Sequence, residues 1–350
     1  MSDSYKNLVK RSIRGSLSAK EELNRRKALY ISTNLLGISN ETIVYRYTKN
    51  IDDLINYINS QINNIKSNKT YMDVITLDAF SSATIEGART TVEEVRKNFN
   101  CPRTKSDKMV INTIKTQHLV YSNGITNSNI RNIWNELTNG VCENISKKGK
   151  KYRDGMVFIG SSTKIVHEPE KVENIEMRMN NLFEFCDSYP DTILKACIVH
   201  FYFVYIHPFC DGNGRFARLW MNKILFSINT NFKDLVVSKG INESLTKYYS
   251  SIEESEFSYN NMIDITPFIE YMLDILASSV DYMKVKRYTK LSDLDNKILQ
   301  KLNRDGITIS KLSKILNVDN AKIRYSLNKL VDKKFLNVDK SGKEYRYFKP

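Results

Sequence analysis

The sequence predicts a mainly α-helical fold, a helical bundle with one β-hairpin, followed by a small C-terminal domain of different build. Three observations carry this. Apolar residues recur at helical spacing through most of the first 280 residues. Only residues 152–167 read as two short β-prone runs about a Gly-Ser turn. Residues 291–350 then change to three short helical segments and two terminal strands.

Residues 1–50 are charged and irregular, with Lys10-Arg11 and Arg25-Arg26-Lys27, and read as a surface layer or lead-in. With an amphipathic helix on Ile51, Leu54, Ile55, Ile58, Ile62 and Ile65 they make an N-terminal helical region, 1–68. The main domain follows, 69–285. Its first helix runs from Tyr71 to Glu86 on Val74, Ile75, Leu77 and Phe80, and Gly87 suits the left-handed position that closes it. Ser82 and Glu86 share one face of the last turn. A carboxylate there opposes the macrodipole, so Glu86 is a solvated group unless a cation from elsewhere claims it. Thr91-Val92-Glu93-Glu94 offers a capping box.

Met109–Tyr121, Asn129–Leu137 and Val172–Phe185 continue the helical pattern. The hairpin at 156–167 is marginal by itself, so it leans on something or binds something, and its edge suits an extended peptide. Thr192–Ile206 is apolar nearly all round, as in a helix surrounded by others. Helices at 216–228 and Thr266–Val280 follow, with a Lys247-Tyr248-Tyr249 cluster between them and a basic connector at 281–290.

Leu294–Leu302, Ile309–Leu316 and Asn320–Val331, with strands at 335–338 and 344–348, resemble a winged helix-turn-helix, here 286–350. Residues 291–350 hold 14 Lys/Arg against 7 Asp/Glu, and Lys322, Arg324 and Lys329 fall on the recognition helix. Such a module binds DNA, in a salt-sensitive way, or serves protein docking or dimerisation.

The net charge is +14, from 53 basic and 39 acidic residues among 350. That excess favours polyanions, though compositional bias produces it too. Five cysteines without a C-x-x-C pair argue against a disulfide framework or zinc ribbon and for a reducing cytoplasm. The first residues lack a signal-peptide pattern, and no apolar run approaches the roughly 18 residues that span a bilayer. The expectation is a soluble, cytoplasmic protein.

The chemistry concentrates in Ile206-His207-Pro208-Phe209-Cys210-Asp211-Gly212-Asn213-Gly214-Arg215-Phe216-Ala217-Arg218. Gly212-x-Gly214-x-x-Ala217 is not a dinucleotide fingerprint, because no strand leads directly into the first glycine. An EF-hand fails, because Phe216 stands where glycine is required. The pattern fits phosphate chemistry. Gly212 and Gly214 let backbone N–H groups approach an anion at a helix N-terminus. Arg215 and Arg218, three apart, can neutralise two phosphates. Asp211 suits Mg²⁺, and His207 can accept a proton near neutral pH. Each residue has a bland alternative, a turn hydrogen bond or a surface charge; jointly, at this spacing, phosphate chemistry is the stronger reading.

The stretch His-Pro-Phe-Cys-Asp-Gly-Asn-Gly-Arg-Phe-Ala-Arg resembles the Fic family pattern H-x-F-x-[D/E]-G-N-G-R-x-x-R at every fixed position. Ser82-x-x-x-Glu86-Gly87 resembles that family's inhibitory [S/T]-x-x-x-E-[G/N] motif, in the subclass that places it before the core. The hairpin resembles the family's target-binding flap, with Phe158, Ile159, Ile165 and Val166 as its contact residues, and Tyr248-Tyr249 sits where relatives place a nucleotide-contacting tyrosine.

The resemblance covers about 70–290 and implies AMP transfer from ATP to a Ser, Thr or Tyr hydroxyl of a protein, this chain included. His207 is then the base and Asp211 the Mg²⁺ ligand. Gly212, Asn213 and Gly214 form the anion hole, Arg215 and Arg218 grip phosphates, and Phe209 fixes the loop in the core. Glu86 pairs with Arg218 and holds the site off. Gly214 argues against kinase-like relatives, which carry Lys there. Removal of AMP, use of another nucleotide, a DNA-binding regulator with a nucleotide-sensing domain, and a homodimer all stay open.

Overall fold

The most apolar stretch of the chain forms a helix at its centre, Ile193–Ile206, with nearly every side chain buried; Thr192 caps it by accepting the Lys195 N–H at 3.0 Å. A computed structural model describes residues 4–65, 71–142, 150–157, 159–161, 164–288, 292–302, 306–332, 335–339 and 345–348. The chain divides into two compact units, 1–283 and 284–350.

In order, the first unit contains α1 (Tyr5–Ile13), α2 (Leu17–Lys27), β1 (Tyr30–Leu36), β2 (Thr42–Arg46), α3 (Lys49–Ile62), α4 (Tyr71–Ile85), α5 (Val92–Lys97), α6 (Lys105–Asn123) and α7 (Ile130–Thr138). A hairpin follows, β3 (Ile159–Ser161) and β4 (Lys164–His167), then α8 (Val172–Ser188), α9 (Ile193–Ile206) and α10 (Asn213–Ile228). A 3₁₀ turn at Thr230–Asp234 leads to α11 (Val237–Glu243), α12 (Leu245–Ser255), β5 (Ser258–Tyr259), β6 (Met262–Asp264) and α13 (Thr266–Tyr288).

Two sequence expectations need correction here. The first 50 residues are not an irregular lead-in: Ser4 and Ser16 cap α1 and α2, and two strands follow. Nor is the 159–167 hairpin alone. A four-stranded sheet, ordered β1-β2-β6-β5, joins β2 in parallel to β6, with Thr42 opposite Met262 and Val44 opposite Asp264. The β-branched run Thr42-Ile43-Val44 carried the local signal. Its partner, more than 200 residues away, could not be read from spacing.

α9 and α10 pack against each other around Phe203, Phe209, Phe216 and Trp220, and the Phe203 and Phe216 rings stack at 4.9 Å. Phe209 also stacks on Trp134 of α7 at 5.0 Å. Ile75, Ala79 and Ala83 of α4 dock in a separate cluster with Val95 and Met109–Ile114, so α4 is seated on α5 and α6. Thr91 and Glu94 make both halves of the expected capping box. Among the described residues no helix is long and apolar enough to cross a membrane.

The second unit contains α14 (Asp293–Lys301), β7 (Ile307–Thr308), α15 (Ile309–Leu316), α16 (Asn320–Asp332), β8 (Asn337–Asp339) and β9 (Arg346–Phe348). Its antiparallel sheet runs β7-β9-β8, with a core of Ile298, Leu312, Ile323, Leu327, Leu330 and Tyr347. β7 was not foreseen. Lys329 is not an open cation on the helix face: its Nζ meets Asp295 Oδ2 at 2.6 Å. Lys322 and Arg324 are exposed.

Candidate active site

α9 ends at His207, whose backbone is left-handed (φ 53, ψ 60), an unfavourable conformation for a residue with a β-carbon. It is held there on three sides. The His207 N–H donates to the Phe203 carbonyl at 3.0 Å, and the His207 carbonyl accepts from Arg153 Nε at 2.8 Å. The ring's Nδ1 lies 3.1 Å from the Val204 carbonyl. A carbonyl only accepts, so Nδ1 carries the proton and Nε2 keeps its lone pair. Burial pushes the imidazole's pKa down to about 4, outweighing the Val204 bond and the Glu86 charge, so the ring is neutral at pH 7.

The turn after His207 is fixed from below. Phe209 is wholly buried, an anchoring contribution of about 1.5–3 kcal/mol. The Asn213 side chain closes the loop on itself, with Oδ1 accepting the Phe209 N–H at 3.0 Å and Nδ2 donating to the Phe209 carbonyl at 2.8 Å. The Asn213 amide thus fastens the turn, while its main chain begins α10 beside Gly212 and Gly214. Gly212 has φ +78, and a β-carbon there would stand 3.1 Å from the Thr138 methyl, so both conformation and space require glycine. Asp211 is half-buried; its Oδ1 accepts the Gly212 N–H at 2.6 Å and its carbonyl accepts Trp134 Nε1 at 2.8 Å.

The two arginines are buried but turn different ways. Arg215 donates through Nη1 to the Leu137 carbonyl at 3.1 Å, beneath the turn. Burial lowers its pKa despite Asp211 and Glu86 nearby. Arg218 faces α4. Its Nε donates to Ser82 Oγ at 2.8 Å, and its Nη2 donates to the Ser82 carbonyl at 3.0 Å and to Glu86 Oε1 at 2.8 Å. Burial penalises the Arg218 charge, yet Glu86 and its neighbours outweigh it and raise the pKa. The Glu86 side chain, 29% exposed against 2% for Arg218, lies so close to Gly214 that a β-carbon there would collide with its carboxylate. The anion beside the α10 N-terminus is thus the chain's own. Among the described residues, Arg215 Nε and Nη2 and Arg218 Nη1 are buried without a hydrogen-bond partner, as are Arg46 Nε and Arg178 Nη1 away from this turn.

The expected pairing of Ser82 and Glu86 with Arg218 is present, and Gly87 closes α4 at φ +87. Asp78, one turn earlier, is buried on the Ser238 N–H and hydroxyl at 2.7 and 3.0 Å and anchors α4 to α11. Burial pushes its pKa up to about 6. Tyr248 is buried in the core: its hydroxyl meets His200 Nε2 at 3.0 Å, and burial, then the Arg218 charge, pushes that imidazole down to about 3. Tyr249 is 49% exposed, near enough for the charges of Glu86 and Arg218 to act on its phenol. Ile159, Ile165 and Val166 fall on the hairpin backbone, with Gly160 opposite Ile165; Phe158 lies outside the described residues.

Sequence reasoning missed Arg153. Besides holding the His207 carbonyl, it donates to the carbonyls of Gly155 (2.9 Å) and Glu170, while its own N–H bonds to Pro208 at 2.9 Å. One buried guanidinium thus ties His207 to both approaches to the hairpin. His167, at the end of β4, bonds through Nε2 to the Tyr205 carbonyl at 2.7 Å and pairs with Glu256 at 3.1 Å.

Residues 125–225 match the Fic/DOC family. The chain carries a Fic domain. That domain includes the whole 207–218 turn, whereas Ser82, Glu86, Tyr248 and Tyr249 lie outside the matched stretch. Among curated proteins, the "Protein adenylyltransferase Fic" of Nematostella vectensis is 32% identical over 135 residues, 37% of this chain and 28% of that protein. "Protein adenylyltransferase fic-1" of Caenorhabditis briggsae is 32% identical over 131 residues, 37% of this chain and 24% of that protein. The matches thus span about a quarter of those relatives' length. Among solved structures, a Fic family protein from Desulfovibrio desulfuricans has a TM-score of 0.61 at 21% identity, covering 87% of this chain and 97% of its own. Fic-1 from C. elegans reaches 0.51 at 14% identity, with coverage of 69% and 74%. At these identities the likeness shows the fold.

Proposed function

We propose that the chain is a protein adenylyltransferase that moves AMP from ATP to a Ser, Thr or Tyr hydroxyl, its own included, and that Glu86 holds it off. The carrying observation is the Glu86–Arg218 pair lying against Gly214, with the buried Arg218 Nη1 beside it left without a hydrogen-bond partner among the described residues. Unmet buried donors are costly, and phosphate oxygens are the acceptors a guanidinium fork suits. The names of the curated relatives support the same reading.

In this mechanism His207 Nε2 takes the proton of the target hydroxyl, whose oxygen forms a bond to the α-phosphorus as the bond to pyrophosphate breaks. The N–H groups at the start of α10 and the arginines meet the charge on the phosphate oxygens. Asp211 fits Mg²⁺. Among the described residues no group of three or more His, Cys, Asp or Glu could cage a metal, and Mg²⁺ typically takes one or two carboxylates plus phosphates. Asp211 would hold the ion, whose charge would offset that of the phosphates. Glu86 blocks this by holding Arg218 and standing where a phosphate would approach Gly214.

Incubating the purified protein with labelled ATP tests the reading. Glu86→Gly raises self-labelling; His207→Ala, made in the Glu86→Gly background, abolishes it. Equal labelling of all forms would sink both assignments, and parallel reactions with the other nucleotides fix the preference. Release of AMP from a modified protein by the wild type, but not by Glu86→Gly, would assign Glu86 to the reverse reaction instead. A second reading concerns the C-terminal unit: the exposed Lys322, Arg324 and Tyr325 on α16 favour a DNA contact. Duplex DNA should then shift with the whole protein at low salt and be released as salt rises; no shift at low salt removes that reading.

A further inference from the structure

Cys210 occupies a variable position of the motif, between buried Phe209 and Asp211. Cys142, just beyond α7, places its sulfur 3.6 Å from Cys210 Sγ. Both residues are half-buried. The other cysteines sit differently: Cys101 is exposed, and burial pushes the thiols of Cys186 and Cys197 up to about 12. A disulfide needs sulfurs about 2.05 Å apart, so the pair is one small movement from bonding. The movement falls on a sensitive place. Cys210 adjoins Asp211, and α7 backs the same turn through Trp134, on the Asp211 carbonyl, and Thr138, against Gly212.

We propose that Cys142 and Cys210 form a peroxide-sensitive modification site whose disulfide shifts Asp211 and disables nucleotide use. The consequence for labelling rests on the adenylyl-transfer reading; the site itself does not. One sulfur attacks hydrogen peroxide, the O–O bond breaks, and a sulfenic acid and water form. The second sulfur then displaces the sulfenic oxygen as water while the S–S bond forms. Two thiols lose two electrons and two protons, and the peroxide becomes two waters. A dithiol reductant reverses the change.

The test uses full-length Glu86→Gly protein, reduced and then titrated with hydrogen peroxide. Non-reducing peptide mass spectrometry should find a 142–210 cross-link. Calorimetry with ATP and Mg²⁺ should show weakened binding, and the labelling rate should fall on the order of 100-fold, as displacement of reacting groups by about 1 Å can cause. Dithiothreitol should restore both, and Cys142→Ser should keep binding and rate through the peroxide treatment. Oxidation of Cys101 with no 142–210 cross-link overturns the proposal, as does a cross-link that leaves ATP binding unchanged. If no form labels itself, the adenylyl-transfer reading fails, and the cross-link and its effect on ATP binding still decide this inference.

Discussion

The two ends of the 207–218 turn are held in opposite ways. At the His207 end every hold is to main chain: carbonyls of Phe203 and Val204 fix the residue, and Arg153 takes the carbonyl of His207 itself. At the Arg218 end the partners sit on another element, α4, and one of them is a side-chain carboxylate that is 29% exposed. Only the His207 N–H to Phe203 bond joins two main-chain groups; the other two have side-chain donors, the His207 ring and the buried Arg153 guanidinium. A side-chain carboxylate leaves by rotating about its own bonds while α4 stays seated on Asp78 and its apolar cluster. The difference is one of exposure: His207 is fixed through carbonyls and the buried Arg153 guanidinium, whereas Arg218 is held in part by a carboxylate that solvent reaches. Under the adenylyl-transfer proposal, control would then fall on the phosphate side.

The largest break in this comparison comes from Arg153→Met, which empties the His207 end. In the Glu86→Gly background, the labelling rate should fall about 10- to 100-fold with ATP affinity held within about twofold, because the loss is in His207 position. Single-turnover rates beside calorimetry separate the two, and an equal loss in both would place Arg153 at the nucleotide instead. A melting scan should also show about 1–3 kcal/mol lost from carbonyls left without their donor.

Acid sharpens the same end. With His207 held near 4, the low-pH limb of labelling in Glu86→Gly protein should fall near pH 4 rather than 6.5. The sign for stability follows: unfolded histidine binds its proton near 6.5, so this group's contribution is complete above that pH and is lost as pH falls toward 4. A limb at 6.5 would mean that the ring is not desolvated as described.

The smallest effect belongs to the exchangeable end. Ser82→Ala removes one hydrogen bond to Arg218 and leaves Glu86 in place. It should loosen the inhibitory contact by about 1 kcal/mol and raise self-labelling roughly fivefold, well short of Glu86→Gly. A rise equal to that of Glu86→Gly would transfer the main hold from Glu86 to Ser82.

Much of this site was legible in residue order. The glycines of the turn, the αL closure at Gly87 and the capping box at Thr91 rest on local geometry, and the pairing of Glu86 with Arg218 was implied by the motif resemblance. The partners of Tyr248 and Lys329 were not legible for one reason: a polar residue on a helix gives no sign of which face will be buried. Packing turned Tyr248 to His200 and Lys329 to Asp295. Arg153 had no motif at all, since its task is defined by carbonyls up to 54 residues away.

By itself the sequence determined the helical class and the turn that carries His207, the glycines and the arginines, because periodicity and short-range backbone geometry are local properties; that Glu86 meets Arg218 was implied only by the motif resemblance. Tertiary structure alone decided the rest: that β2 pairs with β6, that Arg215 and Arg218 turn to different partners, that Asn213 spends its side chain fastening the loop, and that Cys142 lies beside Cys210. Those choices depend on which surfaces meet once the core closes, and no spacing along the chain encodes them.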